Sequence, residues 1–78
     1  MTRYFFNLYN DKVSIDEEGI DLADDDAARE WARSEVQYQA AESVKIHGHL
    51  ILSHKLVICT ADATVDTVTF GEVVAIRD

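Results

Sequence analysis

The sequence predicts an α+β fold of order β-β-α-β-β, with a four-strand antiparallel sheet packed against one long helix. Three observations lead there. An aromatic segment near the start alternates in character with period two. A stretch from Asp24 to His47 holds neither Gly nor Pro and repeats apolar residues every four positions. Two short, β-branched runs then follow it.

Arg3 to Tyr9 (RYFFNLY) reads as the first strand. Tyr4, Phe6 and Leu8 point one way, and Arg3, Phe5, Asn7 and Tyr9 point the other. Asn10, Asp11 and Lys12 have the locally hydrogen-bonding side chains of a tight turn. Val13 and Ile15 then alternate with Ser14 and Asp16 as a short second strand. Gly19, the only glycine in the first half, is expected to supply a positive φ or a bulge before Ile20 and Leu22 anchor the chain.

Asp24, Asp25 and Asp26 suit a helix start, where unpaired N–H groups and a partial positive charge favour carboxylates. Ala28, Ala32, Val36, Ala40 and Val44 form the stripe expected to lie on the sheet, with Trp31 and Tyr38 on its flank. Arg29, Arg33, Gln37 and Glu42 are expected to face outward. Lys45 and His47 suit the last turn, and Gly48 the stop. After the variable segment HLILSH, KLVICTA (Lys55 to Ala61) reads as a covered central strand. A turn at Asp62 and Ala63 leads into VDTVTF, the last strand. Its Asp66 falls on the same parity as Val68 and Phe70, which implies a late start or a bulge. Gly71 is expected to end it, with Glu72 to Ile76 as a short closing turn or strand.

The 78 residues fit a single domain, 1–78, with no internal linker. A domain this small buries only about 60% of the surface of its unfolded chain, so self-association is an expected source of stability. A net charge of −8 repels phosphate backbones and anionic lipid, and Arg29 and Arg33 are flanked by Glu30 and Glu35 rather than forming a basic stripe. Nucleic-acid binding is therefore not expected. No apolar run is long enough to cross a bilayer, the start turns polar too early for a signal peptide, and the lone Cys59 cannot form an internal bridge. These features lead to an expectation of cytoplasmic residence without membrane association.

Signs of chemistry are sparse. His47, His49 and His54 invite a metal reading, because an H-x-H spacing can bring two imidazoles together. However, no Cys-x-x-Cys or His-Glu-x-x-His pattern supports it. The carboxylates between Asp16 and Asp26 could surround a hard cation, yet they lack the spacing of a calcium loop, and helix capping accounts for Asp24 to Asp26. No serine sits in a glycine-flanked elbow, the three glycines are isolated, and Cys59 reads as a small core residue. No catalytic residue, cofactor or metal ligand is assigned. Both faces of the first strand carry aromatic rings, so Phe5 and Tyr9 are the candidate interface residues, exposed once the helix covers the other face.

Arg3 to Phe6 (RYFF), Asp16 to Gly19 (DEEG) and Ala27 to Ala32 (AAREWA) carry a resemblance over nearly the whole chain. The sequence resembles a family of short bacterial proteins known only as a domain of unknown function. Its members open with an Arg-Tyr-Phe-Phe strand and place an Asp-Glu-x-Gly segment before an alanine-rich helix. HLILSH and the short turn at Asp62 and Ala63 depart from that pattern. The resemblance brings no activity with it. A looser similarity links the order of elements to the partner domains of toxin–antitoxin pairs.

The functional expectation is therefore a non-enzymatic protein-interaction or accessory module that self-associates as a homodimer or binds a protein partner. An antitoxin-like partner domain is the first alternative, and a metal-binding protein or small enzyme the second.

Overall fold

The computed structural model describes residues 1–10 and 12–74. Its elements are β1 (Thr2–Tyr9), β2 (Val13–Ser14), β3 (Ile20–Leu22), α1 (Asp25–His47), β4 (Lys55–Cys59), β5 (Thr64–Thr69) and α2 (Phe70–Val73). All strand pairs are antiparallel. The sheet runs in the order β2-β1-β4-β5, and β3 also pairs with β1. The α+β arrangement expected from the sequence is therefore the one observed, with the short α2 added at the end of the sheet.

The second strand is where expectation and structure part. It ends at Ser14, Ile15 is 57% exposed, and the chain returns to β1 only at Ile20. β2 and β3 thus form one interrupted edge. Leu8 lies opposite Ser14 and Tyr4 opposite Ile20, a register change of two residues that keeps the in–out alternation intact. Asp11, assigned to the preceding turn, lies outside the described residues. At that turn the Asn10 side chain accepts from the Lys12 N–H at 3.0 Å.

Alternation along the strands builds the core. Tyr4, Phe6, Leu56, Ile58 and Val68 point from the sheet towards Ala28, Ala32, Val36 and Ala40 of α1, and Phe70 closes one end. The three alanines put no bulk between helix and sheet. The Asp24 side chain caps α1 by accepting from Ala27 N–H at 2.8 Å, and Gly48 ends the helix at φ 73° with its N–H on the Val44 carbonyl.

At 23 residues α1 is about 35 Å long, whereas the longest strand, of eight residues, spans about 26 Å. The helix therefore overshoots the sheet. This explains why Val44, expected in the core stripe, is 50% exposed. Tyr38, expected beside Trp31 on the flank, instead faces solvent; the residues on that flank are Trp31, Glu35 and Gln39, each half-buried.

β4 stops at Cys59, two residues earlier than expected. A register shift between Ile58 and Cys59 supplies the bulge implied by Asp66, and the Asp66 carboxylate accepts from Arg29 Nε of α1 at 2.9 Å. The last strand ends at Thr69 rather than at Gly71. Thr69 caps α2 reciprocally with Glu72, and Gly71 lies inside that helix, its N–H donating to the Leu52 carbonyl at 3.0 Å. Of the closing segment expected over Glu72 to Ile76, Ala75 and Ile76 lie outside the described residues.

Candidate functional site

The face of the sheet turned away from α1 has no second layer among the described residues. Directly opposite residues of an antiparallel pair share a face. The register therefore places Val13 beside Tyr9 and Lys55, Asn7 beside Val57 and Thr67, and Phe5 beside Cys59 on this open side. Phe5, Tyr9, Val57 and Cys59 are half-buried, and Val13 is exposed. Lys55 Nζ stands 5.6 Å from the centre of the Tyr9 ring, within cation–π range, and Asn7 Nδ2 lies 3.8 Å from Cys59 Sγ. Arg3 and Asp21, opposite each other on the same face, form a forked ion pair with contacts of 3.1 and 3.2 Å. Phe5 and Tyr9, expected to be exposed, are half-buried, and they share one open face with apolar Val13 and Val57 and with polar Arg3, Asn7, Lys55 and Thr67.

Asp16 organises the gap in the edge strand. Its Oδ2 accepts from Phe6 N–H at 3.2 Å, taking the place of a strand partner for β1. Its Oδ1 accepts from Glu18 N–H and Gly19 N–H at 3.1 and 3.0 Å. Asp16 N–H in turn donates to the Asn7 side chain at 2.9 Å. Partial burial alone would raise the Asp16 carboxyl pKa, but the Gly19, Phe6 and Glu18 donors and the nearby Arg3 charge outweigh it and hold the group below its ordinary value. Gly19 must be glycine here. Its φ is +73°, and a Cβ would stand 2.8 Å from the Tyr4 carbonyl oxygen and 2.8 Å from Arg3 Cγ. Arg3 also donates to the Glu18 carbonyl, which fixes the loop to β1.

On the helix side of this interrupted edge lies a cleft of about 600 Å³. Its floor includes Phe6, Leu8, Trp31 and Leu56, and Trp31 packs on Phe6 with ring centres 4.3 Å apart. Asp16, Glu18 and Glu35 also line it. No single motif of the sequence marks this cleft. The available signal was the spacing of Trp31, Glu35 and Gln39, one per helical turn beside the core stripe, opposite a strand broken at Asp16 to Gly19.

Asp24, Asp25, Asp26 and Asp66 are engaged in structural contacts. Asp24 caps α1. Asp25 accepts from the Tyr4 hydroxyl at 2.6 Å, a bond that, with burial and the charges of Asp25 and Asp24, raises the tyrosine pKa. Asp26 pairs with Arg29 at 3.0 Å. Arg29 also holds Asp66, and that hydrogen bond, helped by Thr67 N–H, lowers the Asp66 pKa. Of the histidines, His47 and His49 approach with ring centres 5.8 Å apart, while His54 packs edge-on against Phe70 at 5.6 Å. Among the described residues no group of three His, Cys, Asp or Glu side chains is placed to hold a metal ion, and no helix is long and apolar enough to cross a membrane.

Fold and site together define a two-layer α+β protein with one bare sheet face and a cleft at its broken edge. Residues 3–71 match the family described as "Domain of unknown function (DUF6894)", and the chain belongs to that family. No curated protein and no solved structure matches it.

Proposed function

We propose that this protein is a non-enzymatic interaction module that works through the bare sheet face, with a second copy of the chain as the partner. The observation that supports this reading is the cluster of Phe5, Tyr9, Val13 and Val57 on a face that none of the described residues covers with a second layer. Electrostatics selects the same surface. In a molecule of net charge −8, two copies repel least where carboxylates are fewest. Among the described residues Asp21 is the one strand carboxylate on this face, Arg3 neutralises it, and Lys55 adds a positive charge.

Sedimentation velocity across a concentration series tests the reading. A concentration-dependent dimer that Tyr9→Ser and Val13→Ser each shift towards monomer is the expected result. Both positions lie at the end of the sheet beyond the close packing at Gly19, so circular dichroism should show the variants folded. A strict monomer at all concentrations, or a dimer indifferent to both substitutions, would overturn it.

A further inference from the structure

The cleft between α1 and the Asp16 to Gly19 loop combines two properties that together define a class of ligand. Its lining sets the apolar side chains of Leu8, Ile20 and Trp31 and the edge of Phe6 beside the polar ones of Asn10, Ser14 and Gln39, and its volume of about 600 Å³ falls within the range of small-molecule sites, about 300–1,000 Å³. Its charged lining is of one sign. Asp16, Glu18 and Glu35 contribute carboxylates, and no Lys, Arg or His is among the described residues that line it.

The three carboxylates are not equivalent. Asp16 is occupied by backbone N–H groups. Glu35 accepts only a neutral contact, from Gln39 Nε2 at 3.0 Å, and the Glu18 side chain has no ion-pair partner among the described residues. Glu35 lies one helical turn from Trp31, so a charged group beside it is within reach of the indole.

We infer that this cleft binds a small organic cation, an amine or quaternary ammonium carried on an apolar body, with the hydrocarbon against Phe6, Leu8 and Trp31 and the positive head beside Glu35 and Glu18. An anionic ligand would meet three carboxylates and no counter-charge. A bare inorganic cation would leave the apolar part of the lining, at Leu8 and Trp31, unused. The site lies on the helix side of the sheet, away from the bare face proposed for dimerisation, so either can fail without the other.

Trp31 is the only tryptophan in the chain, which gives the cleft its own reporter. The experiment titrates the full chain with octyltrimethylammonium below its micelle-forming concentration, following the Trp31 indole signal in proton–nitrogen correlation spectra. 1-Octanol, octanoate and tetramethylammonium serve as neutral, anionic and body-less counterparts.

Saturable movement of Trp31 with an affinity at least about tenfold above all three controls is expected. Glu35→Gln should weaken it about fivefold, the upper end for a partly exposed ion pair. Glu18→Gln, in an exposed loop whose carbonyl rather than side chain is used in the fold, should weaken it in the same direction. Binding of octanol or octanoate as tight as that of the cation would overturn the inference. So would equal binding of tetramethylammonium, an unmoved Trp31 signal, or indifference to both substitutions.

Discussion

Gly19 and Gly48 provide an internal control for the broken-edge architecture, because both sit at φ +73° and differ only in their surroundings. Alanine in the left-handed region costs about 1 kcal/mol at either position, and the loss of unfolded-chain freedom on replacing glycine is common to both. At Gly48 nothing lies within 4 Å of the added methyl, so the backbone cost is the whole effect. At Gly19 the methyl would stand 2.8 Å from the Tyr4 carbonyl oxygen, part of the strand on which the sheet is built, and 3.0 Å from the Phe5 ring. Relief requires the loop to lift, which strains the Gly19 N–H contact with Asp16 and the Arg3 contact with the Glu18 carbonyl. Overpacking and the weakened hydrogen bonds add about 2–3 kcal/mol. Gly48→Ala should therefore lower Tm by about 5 °C and Gly19→Ala by about 15–25 °C, given about 4–8 °C per kcal/mol at this chain length. Urea denaturation followed by circular dichroism measures the difference directly. Equal losses for the two variants would show that the Gly19 loop does not lie against β1 as described.

Three further outcomes follow from the same contacts. Because the Asp16 carboxyl is held below its ordinary value, its stabilisation is complete above the ordinary carboxylate range and is lost as pH falls through the lowered value of the folded state. Asp16→Asn should therefore cost about 1–3 kcal/mol at neutral pH, with the deficit closing in acid; a deficit constant from neutral pH to about pH 2 would contradict this. Ile58→Ala, at a fully buried position on β4, should remove about 2–5 kcal/mol, and thermal melting will show whether a cooperative transition survives. Asp66→Val removes an inward-pointing charge from the edge strand β5 together with its Arg29 bond, and light scattering should record increased self-association; unchanged scattering would assign the charge no guarding role.

The parts of this fold legible in the sequence are those set by local periodicity and local chemistry. The helix limits follow from an aspartate cap and a glycine stop, and the assignment of Tyr4 and Phe6 to one face and Phe5 and Tyr9 to the other follows from strand alternation. Where the sequence misled, a distant partner decided. Ile15 has the right character and parity to continue β2, but the Asp16 side chain takes up the Phe6 N–H that a continuing strand would have used. Val44 obeys the four-residue stripe, yet the sheet beneath it has already ended. The cleft was invisible for the same reason: its lining combines a helix flank with a loop, and only their apposition in space creates a cavity. Asp66 reads as an irregularity of the last strand, and its explanation lies in an arginine on α1.

The pairing scheme also governs the order in which the fold can assemble. β1 precedes β2, β3 and β4, the three strands that pair with it, so the segment that every later pairing but β4–β5 depends on is made before its partners exist. Its contacts with β2 and with the Asp16 loop are short-range and can close early. Its pairing with β4, in which Phe5 meets Cys59, must wait until all of α1 has been synthesised and the chain has turned back. Closure of that long loop is the slow step that topology imposes. Until it occurs, Phe5 and Phe6 lack their β4 neighbours Cys59 and Ile58 and that side of β1 is an unpaired edge, so the nascent or refolding chain is most prone to misassociate in the interval between the two pairings.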